Sequence, residues 1–220
     1  MRINKFVASA TPLSRRAADA AIAAGRVLVD GTPAEQGMDI PEGSNVTLDG
    51  RAITPSVNTI TIMLNKPRGY VVSRDGQGSE TIYDILPSEY QQLNPVGRLD
   101  KDSSGLLLLT NDGELANQLT HPKYEKNKVY EVVLDKPLQP LHQQMISDMG
   151  VQLEDGPSQF LITRLERGNT EYEVTLHEGR NRQIRRTFAA LGYTVTRLHR
   201  TQFGNYTLGE LASGKSKPTL

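Results

Sequence analysis

A continuous apolar run that follows a polar, glycine-containing turn constrains the fold of this chain most. Residues 96–110 read Val-Gly-Arg-Leu-Asp-Lys-Asp-Ser-Ser-Gly-Leu-Leu-Leu-Leu-Thr, and the run Leu106 to Thr110 is short enough for a buried strand. A carboxylate beside such a strand is held rigidly and is partly shielded from water, which suits a nucleophile or a general base. Asp100 is therefore a candidate catalytic residue. The alternative is a turn aspartate that bonds its own backbone.

The composition indicates a cytosolic globular protein. The 220 residues suffice for one ordinary domain plus a small appended one, and the formal net charge of zero does not favour a nucleic-acid partner. The absence of cysteine excludes disulfides and thiolate metal sites and fits a reducing compartment. Because no apolar stretch approaches the length of a membrane span or a signal peptide, we expect a cytoplasmic protein without a membrane partner.

Basic residues concentrate in two islands. Arginine favours bidentate contacts with phosphate, so each island is a candidate RNA-contacting surface. A cluster of charge is equally often a solvated face with no ligand. The first island contains Arg2, Lys5, Arg15, Arg16 and Arg26, and the second contains Arg180, Arg182, Arg185, Arg186, Arg197 and Arg200.

The first 50 residues predict a small domain of two short helices and a β-element. Ser14 is a good N-cap for an alanine-rich helix that runs to Ala24, and Gly25 is suited to end it. Strands are predicted at Arg26–Asp30 and Asn45–Leu48. Residues 51–59 form a short, proline-containing stretch that we interpret as a linker to a second domain over 60–220.

The second domain is predicted to be α+β, with a mixed and mostly antiparallel sheet. Strands outnumber helices and do not alternate strictly with them, which argues against a doubly wound fold. The segment Ser213–Pro218 is interpreted as a polar tail of Ser, Lys and Pro, with no strand or helix assigned to it. Predicted strands are Thr59–Leu64, Tyr70–Ser73, Leu106–Thr110, Lys128–Leu134, Phe160–Leu165, Glu171–Leu176 and Tyr193–Leu198, and predicted helices are Thr81–Leu86, Gly113–Leu119, Leu138–Met149 and Arg182–Leu191.

The run from His177 to Arg186 leads from a strand end into a helix. A turn that opens a helix offers free N–H groups and a positive dipole end for phosphate. An arginine of this helix that turns inward would pair with a buried carboxylate and keep it charged. Zinc is not expected, since the histidines lack ligand spacing. Calcium is not expected either, because the loop that starts at Asp100 has Asn111 at its twelfth position instead of glutamate.

Several separated motifs together resemble the bacterial ribosomal-RNA pseudouridine synthases that carry an N-terminal S4-type RNA-binding domain. The similarity covers nearly the whole chain, and the motifs agree with that family in order and spacing. For the S4-type domain the motifs are Arg2-Ile-Asn-Lys-Phe, Ser14-Arg-Arg-Ala-Ala-Asp, Gly25-Arg-Val and Val29-Asp-Gly, and for the catalytic domain they are Asn65-Lys-Pro-Arg-Gly-Tyr, Gly97-Arg-Leu-Asp, Lys128-Val-Tyr, Gly179-Arg-Asn-Arg-Gln-Ile-Arg-Arg and Arg197-Leu-His-Arg.

The resemblance implies roles for individual residues. Asp100 would be the catalytic aspartate, Arg185 would be its charge partner, and Tyr130 would stack on the flipped uracil, although a tyrosine in an alternating strand is more often a packing residue. Leu198 would line the base pocket, and Arg98 would help to extrude the nucleotide. The further residues expected to contact RNA are Lys5, Arg15, Arg16, Lys66, Arg180, Arg182 and Arg186.

The expected activity is isomerisation of uridine to pseudouridine in ribosomal RNA, by a monomer that needs no cofactor. The general look of the region from Asn65 to Tyr70 slightly favours 23S over 16S RNA as the substrate. A non-catalytic RNA-binding factor in ribosome assembly is the alternative. A glycosidase that uses Asp100 and Asp102 is a weaker third hypothesis, since the chain has no tryptophan to stack on a sugar.

Overall fold

The computed structural model describes residues 1–55 and 58–219. The chain divides into two compact units, Met1–Thr59 and Ile60–Leu220. Within the described residues, no helix has the length and the apolar character needed to cross a membrane.

The smaller unit packs two helices against a four-stranded antiparallel sheet with the order β2-β1-β3-β4. The Ser14 side chain accepts a hydrogen bond from the backbone N–H of Ala17, as predicted for an N-cap, and Gly25 has a φ of 69° just after the helix. The core is built from small aliphatic side chains such as Ile3, Val7 and Val27. The elements are α1 Ile3–Ala10, α2 Arg15–Ala23, β1 Val27–Val29, β2 Thr32–Pro33, β3 Val46–Leu48 and β4 Arg51–Ala52.

The linker expected at 51–59 begins later than the sequence suggested. β4 pairs with β3, and the backbone N–H of Ile53 donates to the carbonyl of Val46 at 2.9 Å. These backbone hydrogen bonds make the start of that stretch part of the small sheet. Residues 56 and 57, also in the expected linker, lie outside the described residues.

The larger unit is built around a nine-stranded sheet, and seven of its strands form the path β11-β12-β8-β13-β7-β5-β15. Neighbouring strands are antiparallel except β13 and β7, so the prediction of a mixed, mostly antiparallel α+β fold is confirmed. The elements are β5 Thr61–Lys66, β6 Asn94–Pro95, β7 Ser104–Thr110, α3 Gly113–Thr120, β8 Lys128–Leu134, α4 Pro140–Gln144, β9 Val151–Leu153, β10 Gly156–Ser158, β11 Leu161–Arg164, β12 Glu171–Leu176, α5 Gln183–Ala190, β13 Val195–Phe203, β14 Tyr206–Thr207 and β15 Ser216–Pro218.

Four predicted elements were wrong in kind or extent. The expected strand Tyr70–Ser73 reduces to an isolated bridge between Val71 and Thr81. The supposed polar tail contains β15, which pairs with β5. The long helix expected at 138–149 is α4 followed by a π-helical turn, Met145–Met149, and the helix expected at 81–86 is a single 3₁₀ turn, Ile82–Asp84.

β7 has apolar side chains on both faces because it separates two parts of the core. Leu107 and Leu109 pack in the main cluster, whereas Leu106 and Leu108 pack in a second cluster with Leu119 of α3. All four β7 leucines are 0 % exposed. Burial on both faces explains why this strand reads as a continuous apolar run rather than an alternating one.

Candidate active site

A cavity of about 580 Å³ opens at the end of the central strands of the larger unit. Its wall combines three regions distant in sequence, namely the turn before β7, the strands β8 and β13, and the loop before α5. The lining residues used below are Arg98, Asp100, Lys128, Tyr130, Arg180, Arg182, Leu198, Arg200 and Phe203.

Asp100 lies in the turn that leads into β7, with its side chain 32 % exposed towards the cavity. Its carboxylate Oδ2 is 3.3 Å from Nη1 of Arg182. Its backbone carbonyl accepts hydrogen bonds from Nζ of Lys66 at 3.0 Å and from the N–H of Ser103 at 3.1 Å. The carboxylate is thus accessible to a ligand while the backbone that carries it is fixed.

Lys66 does not contact the cavity, so the expectation that it binds substrate is wrong. The side chain is fully buried, and its ammonium donates to the carbonyls of Pro67, Asp100 and Ser103. Burial lowers the pKa of Lys66 to about 8, although the charges of Asp100 and Asp102 act to raise it. Lys66 therefore supports the turn that carries Asp100 from behind.

The charge partner of Asp100 in this structure is Arg182, and the expected pair with Arg185 is not formed. Arg185 instead lies 3.5 Å from Oδ2 of Asp102 and donates to the carbonyl of Val195 at 2.8 Å and to that of Asp102 at 3.2 Å. These backbone contacts hold the Arg185 guanidinium, which is only 11 % exposed, beside Asp102, two residues after its expected partner.

Asp102 is the second carboxylate of this network. Its Oδ1 is 3.2 Å from Nη1 of Arg182, so the two arginines share it. The pKa of Asp102 lies below its ordinary value, because the hydrogen bond from Arg182 and the charge of Arg185 outweigh the opposing effect of burial. Asp102 therefore stays ionised and positions both guanidinium groups beside Asp100.

Tyr130 and Leu198 are buried side chains that contribute a largely apolar part of the cavity wall. Their side chains are 8 % and 7 % exposed and both line the cavity. β8 and β13 are paired antiparallel with Leu198 opposite Val132 and Arg200 opposite Tyr130, so residues two apart on each strand share one face. This wall is suited to stack on a planar ring.

Arg180 and Arg186, expected to bind RNA, both contact Asp155 in the turn between β9 and β10. Arg186 makes a bidentate pair at 3.0 and 2.8 Å, and Nη1 of Arg180 is 3.1 Å from Oδ1. The hydrogen bond from Arg186 lowers the pKa of Asp155. Sequence reasoning missed Asp155, whose only signal was a turn-forming Asp-Gly pair.

The remaining expected RNA-contacting residues are exposed or partly exposed. Arg98 is exposed at the cavity beside Asp100. Arg15 and Arg16 are exposed at the start of α2 in the smaller unit, and Lys5 is half-buried in α1. Among the described residues no group of His, Cys, Asp and Glu is arranged to hold a metal ion.

Sequence reasoning assigned no role to Lys128 or Phe203 and named Arg200 only as a member of a basic island, yet all three residues line the cavity with Tyr130. Lys128 and Arg200 were visible only as members of a strand and of a basic island. Arg200 is only 2 % exposed. This burial was not predictable, because charged residues are seldom fully buried.

Comparison with known proteins agrees with this geometry. The model of the RNA pseudouridylate synthase family matches residues 60–190, and the S4 domain model matches residues 1–46. An uncharacterized RNA pseudouridine synthase of Aquifex aeolicus is 40 % identical over 98 % of this chain and 88 % of its own length. Ribosomal large subunit pseudouridine synthase B of Bacillus subtilis is 36 % identical over 98 % and 91 %. A crystal structure of a pseudouridylate synthase superposes with a TM-score of 0.72 at 31 % identity, over 100 % of this chain and 96 % of that one.

Proposed function

Because the chain belongs to the RNA pseudouridylate synthase family, we propose that it converts uridine to pseudouridine in ribosomal RNA, with large-subunit RNA as the preferred substrate. The proposal of ribosomal RNA is supported by the name of the Bacillus subtilis relative and by the S4 domain match. The two expected basic islands supply cations for the phosphate backbone.

The reaction is an isomerisation that needs no group donor. The N1–C1′ bond of uridine breaks, the uracil ring turns, a C5–C1′ bond forms, and the proton on C5 is lost while N1 gains one. The uracil must leave the RNA helix first, which costs a few kcal/mol of stacking energy that pocket contacts recover. The enzyme therefore needs a nucleophile beside a slot that holds a planar base.

The observation that carries the proposal is the position of Asp100 and Arg182 at a cavity that Tyr130 and Leu198 also line. In our proposal Asp100 is the nucleophile, Tyr130 stacks on the flipped uracil, and Leu198 closes the slot. Arg182 keeps the Asp100 carboxylate charged and oriented, and Arg185 acts through Asp102. Arg98 helps to extrude the nucleotide.

A pair of isosteric variants tests this assignment, namely Asp100→Asn and Asp102→Asn. The substrates are transcripts of large- and small-subunit ribosomal RNA that carry tritium on uridine C5, because the reaction releases that hydrogen. We expect Asp100→Asn to lower tritium release at least about 10⁴-fold and to change RNA affinity less than about twofold. Asp102→Asn should lower the rate only about tenfold, since it removes a positioning carboxylate.

Normal tritium release by Asp100→Asn would remove this residue from the chemistry. A wild-type protein that binds the transcripts but releases no tritium would favour the non-catalytic assembly factor. Faster release from the small-subunit transcript would overturn the proposed preference for large-subunit RNA.

A further inference from the structure

The guanidinium of Arg200 is buried, and one of its nitrogens has no hydrogen-bond partner among the described residues. The residue is 2 % exposed, and its Nε donates to the carbonyl of Leu106 at 2.7 Å. Its Nη2 is shielded from solvent and has no hydrogen-bond partner among the described residues. Because buried polar groups are almost always satisfied, an unpaired guanidinium nitrogen at a cavity indicates an acceptor that a ligand brings.

The surroundings of Arg200 leave its charge uncompensated. It forms no ion pair within residues 1–55 and 58–219, and its guanidinium lies 4.8 Å from the centre of the Phe203 ring. The ammonium of Lys128 is 5.4 Å from the same ring centre. Burial and then the charge of Arg200 lower the pKa of Lys128, although the charge of Glu178 acts to raise it, and both cations line the cavity.

The position of Arg200 selects the base rather than the phosphate as its ligand. Arg200 is paired with Tyr130 across β13 and β8, and it lies two residues after Leu198 on the same strand face. All three residues line the cavity. A ring that stacks on Tyr130 therefore places its edge towards Arg200, whose side chain is buried and so is not available to the phosphate backbone in solvent.

We propose that Arg200 is a further catalytic residue, whose Nη2 donates a hydrogen bond to a carbonyl oxygen of the flipped uracil and stabilises negative charge there. This inference rests on the proposed function. A guanidinium is always protonated and offers only donors, which matches an oxygen that gains charge. The hydrogen bond from Nε to the carbonyl of Leu106 fixes one end of the guanidinium, so that in our proposal Nη2 is the nitrogen that contacts the base.

The Asp100 carboxylate can attack either C1′ of the ribose or C6 of the uracil, and both reactions place negative charge on the uracil oxygens. If it attacks C1′, the N1–C1′ bond breaks and its electron pair stays on N1, delocalised onto O2 and O4. If it adds to C6, the electrons of the C5–C6 bond move through C4 onto O4. Once the C5–C1′ bond has formed, the Asp100 carboxylate has left, the C5 proton has been lost and N1 has gained a proton, the ring is neutral again. A donor at a carbonyl oxygen therefore binds the anionic state more tightly than uridine.

The test compares Arg200→Met and Arg200→Lys on RNA that contains uridine or 5-fluorouridine at the target position. Fluorine stabilises the anionic ring and so reduces the need for Arg200. At 5-fluorouridine no C5 proton can leave, so the reaction stops at a rearranged nucleoside that mass spectrometry detects. We expect Arg200→Met to lower the single-turnover rate about 100-fold with uridine and only about 10-fold with 5-fluorouridine, and Arg200→Lys to lie between it and wild type.

Arg74→Met is the matched control, because Arg74 also stacks on a ring, that of Tyr83 at 4.4 Å, but lies outside the cavity lining. Its rate should stay within about twofold of wild type. A rate of Arg200→Met within about threefold of wild type, or an equal loss on both RNAs, would overturn the inference.

If thermal unfolding shows that Arg200→Met does not fold, the same comparison with Arg200→Lys decides. A wild-type protein that converts no uridine overturns the proposed function as well, whereas active wild type with active Arg200→Met overturns this inference alone.

Discussion

Two arginines of one short segment have different tasks although they lie three residues apart. The Arg182 side chain is 44 % exposed and forms its ion pairs with the two carboxylates, Asp100 and Asp102. Arg185 is 11 % exposed and is anchored on the backbone of Val195 and Asp102. Solvent screens the contacts of Arg182, whereas the contacts of Arg185 join β13 to the turn before β7.

We therefore predict that Arg182→Ala and Arg185→Ala separate activity from stability. Arg182→Ala should lower single-turnover conversion about 10- to 100-fold and change the free energy of unfolding by less than about 1 kcal/mol. Arg185→Ala should impair conversion similarly and also destabilise the fold by roughly 2–3 kcal/mol, because buried carbonyls lose their donor. Urea unfolding followed by circular dichroism provides the comparison. Equal stability of the two variants would contradict this division.

The sequence indicated Asp100 because it precedes a buried apolar strand, whereas Tyr130 was assigned only through the family resemblance, since its strand context favours a packing residue. The resemblance also assigned Arg185 as the partner of Asp100, while helical spacing alone left several arginines of the segment open. In the structure Arg182 lies immediately before α5 in a left-handed conformation, with a φ of 48°. Its side chain is therefore not on the helical face that the sequence predicts, and it pairs with Asp100. Lys66 was misassigned because a lysine is expected to be exposed unless tertiary structure supplies acceptors.

Strand periodicity predicted the sheet well wherever one face is buried. β8 and β12 have the bounds expected from their alternating patterns, and both show buried residues at every second position. β15 was missed because its residues are polar, and its pairing with β5 is a tertiary contact that no local pattern encodes. The strand predicted at Tyr70–Ser73 was wrong because its residues have strand propensity but no neighbouring strand in the described part of the chain pairs with them. Only an isolated bridge between Val71 and Thr81 forms among the described residues.

Gly105 allows the close approach of the parallel strands β7 and β13. A Cβ on Gly105 would lie 2.2 Å from the carbonyl oxygen of Arg200 and 2.5 Å from its nitrogen, and the residue has a φ of 105°. We predict that Gly105→Ala lowers the free energy of unfolding by roughly 3–5 kcal/mol, since two backbones must separate. Conversion should fall as well, because Arg200 and the Asp100 turn shift.

Gly192→Ala is the control for that substitution. Gly192 also has a positive φ, 80°, but nothing lies within 4 Å of an added Cβ. Its cost should be only about 1 kcal/mol of backbone strain, with conversion unchanged. Similar losses in the two variants, measured by thermal unfolding and tritium release, would show that crowding at Gly105 is unimportant.

The molecule as a whole has no net charge, and several of the arginines expected to bind RNA are already paired with its own carboxylates. RNA must therefore displace or bypass these pairs in the larger unit. Arg15 and Arg16 are exposed in the smaller unit, and no ion pair ties them to an acid among the described residues.

We predict that the double variant Arg15→Ala, Arg16→Ala weakens RNA binding and reduces its salt dependence. Loss of two phosphate contacts should lower the slope of log Kd against log salt by about 1.5 and leave the single-turnover rate at saturating RNA unchanged. Arg51→Ala, an exposed arginine of the same unit, serves as the control. An unchanged slope in the double variant would remove these arginines from the RNA interface.

The single parallel strand pair also determines when the enzyme becomes competent during its own synthesis. His199 of β13 bonds with Ser104 of β7 across 95 residues of chain, and β13 supplies Leu198 and Arg200 to the cavity. Contacts of such long range form late, because loop closure is costly and the later strand must first leave the ribosome. A nascent chain that already displays Asp100 is consequently inert, and uridine chemistry begins only after translation has passed β13.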